Sequence, residues 1–128
     1  MSSRPLLTPQ NVTPVPVSMS ADGFSLDTNI NNISAVGYNI SWTNGASGTF
    51  QVEVCNDHVI PPGNTVPVST QSGTWVPLTL TVPVTSTGTA NTAYIDIVGV
   101  SAAWIRLHFV HTSGSGGTFT ATLAGKVQ

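Results

Sequence analysis

Charged side chains are scarce in this sequence. Of 128 residues, three are Lys or Arg and five are Asp or Glu, so charged residues make up 6% of the chain, against about 25% in typical soluble domains. The cations Arg4, Arg106 and Lys126 are far apart in the sequence and form no basic patch that would neutralise phosphates. We therefore expect no nucleic-acid partner. A neutral surface is readily covered by a neighbouring protein, because few charges have to be desolvated.

The sequence also lacks the marks of disulfide-rich and membrane-spanning proteins. Cys55 is the single cysteine, so no disulfide can form within the chain. The start MSSRPLLTPQ has no apolar signal core, and no stretch approaches the ~18 consecutive apolar residues of a spanning helix. These absences predict a protein that is made in a cytoplasm and has no membrane partner.

Alternating apolar and polar residues are the main positive signal. In VGYNISWTN, Val36, Tyr38, Ile40 and Trp42 alternate with small or polar residues, which is the period of a half-buried strand. No window combines helical spacing with capping signals. Six to eight such strands, separated by Gly, Ser and Thr turns, predict an all-β protein, an antiparallel β-sandwich of jelly-roll or immunoglobulin-like topology. We expect it to form a single domain, residues 17–128.

A glycine-rich segment occurs twice. NGASGTF, residues 44–50, returns as SGSGGTF, residues 113–119, and the same offset of 69 residues matches the apolar positions on either side. We interpret each copy as the turn of a hairpin, the first joining VGYNISWTN to TFQVEVC and the second joining AAWIRLHFVH to TFTATLAGKV. Glycine supplies positive φ in such turns. A phosphate-binding loop is disfavoured, because neither copy opens a helix or has a nearby cation.

Residues 1–16, MSSRPLLTPQNVTPVP, contain four prolines. Proline removes a backbone donor and favours an extended chain. We therefore predict a Pro-rich N-terminal arm, docked either along the domain's own surface or on another subunit. Its candidate partner-binding residues are Pro5, Leu6, Leu7, Pro9, Val12 and Pro14.

No set of residues nominates itself for catalysis or metal binding. Cys55 and His58 form C-x-x-H, and His108 and His111 form H-x-x-H, which are ligand types that zinc accepts. The two histidines of the second pair lie three apart on a predicted strand, so their side chains point to opposite faces. The acidic residues are scattered, and no nucleophile stands out beside a base. We therefore predict no enzyme activity, no metal and no cofactor.

The strand AAWIRLHFVH contributes two further candidates for partner contacts. Arg106 lies in the middle of this apolar strand, where it either pairs with Asp96 or Glu53 across the sheet or anchors a subunit contact. The alternation places Trp104 outward, whereas Trp75 and the remaining tryptophan fall with inward residues. An outward tryptophan suits a protein interface or a platform on which a sugar stacks.

Three strings of this sequence resemble a recurrent type of small structural protein from tailed bacteriophages: SWTNGASGTFQVEVCND, GTWVPLTL and AYIDIVGVSAAWIRLHFVHTSGSGGTFTATLAGK. The resemblance covers about residues 40–126. It rests on turn and core residues, namely Trp42, Gly48, Thr49, Phe50, Asn56, Asp57, Trp75, Ile95, Asp96, Trp104, Arg106, Gly114, Gly117 and Lys126. The sequence departs from the pattern at Cys55 and in the Pro-rich segment 59–67. The resemblance implies head decoration, capsid cementing or a minor virion role, with no catalytic residue to carry over.

The low charge, the arm and the resemblance lead us to expect a virion structural protein, synthesised in the host cytoplasm. It would bind the major capsid protein or another virion protein and stabilise the capsid surface, as a homo-oligomer, either a dimer or a trimer. The alternative is a carbohydrate-binding module on a phage tail or head, which would attach to host glycans through Trp104.

Overall fold

The computed structural model describes residues 6–31, 33–57, 73–80 and 83–126, with the side chains of Leu6 and Leu7 left out. These residues form strands and no helix, and so contain no helix that could cross a membrane. The strands are β1 (Leu6–Asn11), β2 (Val17–Ser18), β3 (Gly23–Phe24), β4 (Thr28–Asn29), β5 (Ala35–Trp42), β6 (Ser47–Cys55), β7 (Val76–Pro77), β8 (Val84–Thr87), β9 (Asn91–Val98), β10 (Trp104–Ser113) and β11 (Thr118–Lys126). The prediction of an all-β protein is confirmed.

The strands form two antiparallel sheets. Sheet 1 has the order β1-β11-β5-β9, with β2 also paired to β11. Sheet 2 has the order β3-β10-β6-β7, with β4 paired to β10 and β8 paired to β6. The sheets pack face to face over one core, as expected for a β-sandwich.

Apolar side chains from the inner faces of both sheets fill this core. The ring of Phe50 packs against those of Trp42, Phe109 and Phe119, with centroids 5.0, 5.0 and 5.2 Å apart. Tyr38 is fully buried, and its burial raises the pKa of its hydroxyl. Burying a large apolar side chain contributes roughly 1.5–3 kcal/mol. The alternation in VGYNISWTN correctly predicted the buried residues Val36, Tyr38, Ile40 and Trp42.

The two glycine-rich segments do not form hairpins. β5 lies in sheet 1 and β6 in sheet 2, while β10 lies in sheet 2 and β11 in sheet 1. Each segment therefore crosses from one sheet to the other. β5 pairs with β11, where Trp42 is opposite Phe119, and β6 pairs with β10, where Phe50 is opposite Phe109. The hairpin prediction was wrong because alternation determines the face that a residue occupies, not the strand that lies beside it.

The two crossing segments contact each other at one end of the sandwich. The backbone N–H of Ala46 donates to the carbonyl of Gly116 at 3.1 Å. A Cβ on Gly45 would overlap the backbone of Gly116, and one on Gly117 would lie 3.0 Å from the carbonyl oxygen of Asn44. Gly116 and Gly117 also have positive φ angles of 83° and 80°. The glycines thus serve turn geometry, as predicted, and the close approach of two backbones as well.

Part of the predicted arm is a strand of the sandwich. β1 pairs with β11, with an irregular register between Leu7 and Gln10. Val12 is fully buried in the core, and the Thr13 hydroxyl accepts a hydrogen bond from the Ala121 N–H at 2.8 Å. Residues 6–13 therefore follow the alternative in which the segment docks on its own domain. The predicted boundary at residue 16 does not separate this stretch from the sandwich, because Val12 fills core volume.

Candidate functional site

The outward face of sheet 2 carries a cluster of ionisable side chains. Arg106 and Glu53 are opposite each other on β10 and β6, and the alternation of both strands directs them away from the core. The Arg106 Nε donates to Glu53 Oε1 at 2.7 Å, and the two side chains are 9% and 10% exposed. The guanidinium lies over the rings of Phe24 and Trp75, 4.2 and 4.3 Å from their centroids. Glu53 is one of the two partners that the sequence suggested for Arg106.

His108 extends the cluster to a second carboxylate. Its Nδ1 lies 2.9 Å from Glu53 Oε2, and its Nε2 lies 3.3 Å from Asp22 Oδ2. Its ring stacks on Phe24 with centroids 4.2 Å apart. Asp22 Oδ1 accepts a hydrogen bond from the backbone N–H of His111 at 2.8 Å, and this bond is the main reason that the pKa of Asp22 is lowered.

We call Arg106, Glu53, His108 and Asp22 the Arg106 network. Its geometry suits structural pairing, because Glu53 meets Arg106 with one carboxylate oxygen and His108 with the other. Aromatic rings cover the guanidinium, which limits its access to an anionic substrate. Breaking a charge pair so shielded from water from one side is expensive, because it leaves a buried charge without a partner.

The described residues that were considered for zinc, Cys55, His108 and His111, are not gathered into a site. Among the described residues there is no group of three or more His, Cys, Asp or Glu side chains placed to hold a metal ion. His58 lies outside the described residues. The Nδ1 of His111 lies 3.0 Å from the carbonyl oxygen of Met19, whereas His108 contacts carboxylates.

Cys55 and Asp57 organise the end of β6. The Cys55 thiol donates to Asp57 Oδ1 at 3.1 Å, and the pKa of this thiol is raised, first by burial and then by the neighbouring carboxylate. The same carboxylate oxygen accepts a hydrogen bond from the backbone N–H of Thr74 at 2.6 Å, which lowers the pKa of Asp57. Asp57 thus ties two chain segments together, the turn-stabilising role expected for Asp beside a strand end.

Trp104 points outward, as the alternation predicts, but it is only 1% exposed. It lies opposite Cys55 on one side and Asn29 on the other. The structure therefore leaves no open ring face on Trp104 for a partner or a sugar. Arg106, at 7% exposed, is likewise closed to a partner. Trp75, expected inward, instead covers Arg106 on the outward face. Pro77, two residues further on, lies opposite the outward Glu53, and residues two apart on a strand share a face.

The remaining predicted partner-binding residues have different positions. Val12 is in the core and cannot contact a partner without unfolding the edge of sheet 1. Pro9 and Pro14 are exposed, and a partner role for them stays a prediction. Leu6 and Leu7 belong to β1. Pro5 lies outside the described residues.

The outward face of sheet 1 is polar and open. Its central residues are exposed hydroxyl and amide side chains from β5, β9 and β11, which we call the hydroxyl–amide face: Asn39, Ser41, Thr92, Thr120 and Thr122. Asn39 lies opposite Thr122 on β11 and opposite Tyr94 on β9. Sequence reasoning missed this face, although the alternation of threonine with apolar residues in TFTATL was a visible signal.

The charged residues Asp96 and Lys126 lie at one end of this face, on β9 and β11. Tyr94 is 59% exposed and lies across Gly37, where a Cβ would overlap its ring. Comparison with models of known protein families and with curated proteins found no match to this chain. The function is therefore inferred from the two outward faces and from the resemblance described above.

Proposed function

We propose that this chain is a non-enzymatic structural protein of a bacteriophage virion, which binds the capsid surface through the hydroxyl–amide face and stabilises it. The observation that carries the proposal is the contrast between the two outward faces of the sandwich. On sheet 2, the Arg106 network and its aromatic cover occupy the centre. On sheet 1, exposed hydroxyl and amide groups occupy the centre and no formal charge lies among them.

An uncharged polar face suits a lattice of protein neighbours. Hydroxyl and amide side chains both donate and accept hydrogen bonds, so they can pair with backbone or side-chain groups of either kind. Covering them removes no ion from water, which is the most expensive part of burying a polar surface. The major capsid protein is the partner that the resemblance implies, and a repeated lattice of it would hold many copies of this chain.

We further infer jelly-roll rather than immunoglobulin-like connectivity. In the immunoglobulin fold, strands B and E are neighbours in one sheet and C and F are neighbours in the other. In that fold the chain crosses between the sheets from B to C and again from E to F, so the first strand of one crossing unit pairs with the first strand of the other. Here β5, the first strand of one unit, pairs with β11, the second strand of the other, and β6 pairs with β10. This reciprocal pairing supports two units wrapped together, as in a jelly roll.

Co-sedimentation with purified capsids that were assembled without this chain tests the proposal. Thr122→Arg places a guanidinium in the centre of the hydroxyl–amide face and is expected to weaken binding by at least about tenfold, because the charge would be buried without a partner. Thr85→Arg is the matched control, since Thr85 is an exposed strand threonine on sheet 2. The proposal fails if the wild-type chain does not co-sediment, or if both variants bind as the wild type does.

One observation favours the alternative, a carbohydrate-binding module. With Trp104 covered, Tyr94 is an exposed aromatic ring beside polar side chains, and one of its faces rests on Gly37. A flat exposed ring next to the amide of Asn39 suits the stacking of a sugar. A glycan screen in which binding is lost in Tyr94→Ala would support this alternative, and a blank screen with the wild-type chain would count against it.

A further inference from the structure

The edge strand β9 differs from the other edge strands of the described chain. β1 contains Pro9 and an irregular register between Leu7 and Gln10. β2, β3, β4 and β7 have two residues each, and β8 has four residues directly after Pro83. Short length, proline and irregular register are the usual devices that prevent an edge from pairing with another chain. β9, Asn91–Val98, has none of them: it is eight residues long, contains no proline or glycine, and keeps one register along β5.

β9 also combines an unpaired side with exposed apolar side chains. Among the described strands it pairs with β5 alone, so no described strand pairs with its other side. Residues 78–80 line a groove with the C-terminal half of β9 but form no ladder with it. Tyr94 and Val98 are 59% and 62% exposed, and they are two of the four large apolar side chains that the described surface exposes. Asp96 is the only charged residue of the strand. A long, regular, apolar edge of this kind is a template for pairing with another strand.

We propose that β9 pairs with β9 of a second copy of this chain, in an antiparallel ladder with Ile95 opposite Ile95 on a two-fold axis. The two copies of sheet 1 then form one continuous sheet across the dimer. Such an interface is isologous, because the same strand contributes both sides and the contact closes on two copies. The hydroxyl–amide faces of the two copies lie on the same side of this continuous sheet, since the ladder keeps outward residues outward.

The chemistry of β9 selects this register. Opposite residues in an antiparallel ladder share a face, so the possible two-fold ladders are centred on a residue and not between two residues. Centring on Asp96 would place two carboxylates opposite each other, which is unfavourable. Centring on Tyr94 would leave Val98 beyond the paired part of the strand. Centring on Ile95 pairs Tyr94 with Asp96 and Val98 with Thr92, so that both exposed apolar side chains gain a neighbour.

The test is the mass of the full chain in solution, measured by sedimentation equilibrium over a range of concentrations. The wild-type chain is expected to reach twice its 13.2-kDa mass. Tyr94→Lys and Tyr94→Glu form a matched pair, because both remove the ring that lies across Gly37. In this register Tyr94→Lys places an ammonium group opposite the Asp96 carboxylate of the second copy and keeps the dimer. Tyr94→Glu places a carboxylate opposite the Asp96 carboxylate of the second copy, and this contact occurs twice in each dimer. Two like-charge contacts of about 1 kcal/mol each predict roughly 30-fold weaker association.

Three results would overturn the inference: a monomer at every concentration, a closed trimer, or equal association of the Lys and Glu variants. Circular dichroism establishes that both variants are folded. If either is not, amide hydrogen exchange of the wild-type chain decides, because dimerisation through β9 requires its amides to exchange more slowly at high protein concentration than at low. The inference does not rest on capsid binding. A dimer that ignores capsids refutes the proposed function alone, and a monomer that binds them refutes this inference alone.

Discussion

Removing one member of the Arg106 network should show what it costs to leave a buried charge without its partner. Glu53→Leu leaves the Arg106 guanidinium between two aromatic rings without its carboxylate, and it removes one partner of His108. Breaking a buried ion pair from one side costs about 3–5 kcal/mol. Since the two side chains are 9% and 10% exposed, some water reaches them, and we expect a loss near the lower end, about 3 kcal/mol. That is a large share of the roughly 5–15 kcal/mol typical of a domain.

Urea unfolding followed by far-ultraviolet circular dichroism measures this loss, and a second substitution separates charge from packing. Glu53→Leu/Arg106→Met replaces both charges by apolar side chains, and we expect it to regain at least about 2 kcal/mol over Glu53→Leu, because no buried charge then lacks a partner. Asp96→Asn, at an exposed carboxylate, is the control and should change stability by less than about 0.5 kcal/mol. The reasoning is refuted if Glu53→Leu costs under about 1 kcal/mol, or if the effects of the two substitutions simply add.

Three further changes test the packing and the electrostatics. In urea unfolding, Gly117→Ala should destabilise the chain by at least about 1 kcal/mol more than Gly116→Ala. Both glycines have positive φ, but only at Gly117 would the new methyl group meet a backbone oxygen, at 3.0 Å. Equal losses would contradict this reasoning. Val12→Ala should lower the free energy of unfolding by about 2 kcal/mol. Val15→Ala, at a residue that is 76% exposed, should lower it by less than about 0.5 kcal/mol. Similar losses would mean that Val12 is not a core residue. The folded-state pKa of Asp57 lies below its ordinary value of 3.8, so its ionised form stabilises the fold above that pH and the benefit is lost as pH falls through the folded pKa. The advantage of the wild-type chain over Asp57→Asn in thermal unfolding should therefore shrink on acidification below 3.8, and an advantage that does not change with pH would oppose this account.

Strand positions and inward residues were predictable from the sequence, but strand partners were not. The period of two in VGYNISWTN assigned Tyr38 and Trp42 to the core correctly, because a strand between a core and solvent must alternate. The same period is compatible with any neighbouring strand. A four-residue connection, such as the one from Trp42 to Ser47, can turn within a sheet or cross to the facing one, and the difference depends on packing against residues far away in the chain.

The candidate sites were predictable only where one residue broke a pattern. Arg106 in an apolar strand indicated a buried charge with a partner, and Glu53 is that partner. Nothing local indicated that Phe24, in a polar stretch more than eighty residues earlier in the chain, would cover the guanidinium. Trp104 shows the same limit, since its outward direction follows from alternation but its burial depends on distant segments. Side-chain direction is a local property, whereas exposure is a property of the whole fold.

The two glycine-rich segments resemble each other because each is the packing partner of the other. The 69-residue offset maps β5 onto β10 and β6 onto β11, and the observed pairs are β5 with β11 and β6 with β10. Exchanging the two units therefore maps each of these strand pairs onto the other, so any feature that one crossing segment needs in order to approach the other is needed by both. The offset places Trp42 on His111 and Phe119 on Phe50, so an exact exchange of the units would turn the observed pair Trp42–Phe119 into a pair of His111 with Phe50. The observed partner of Phe50 is Phe109, two residues before His111. A shift of two residues leaves every side chain on its own face, so this shared packing explains the repeat without requiring that the two units arose by duplication.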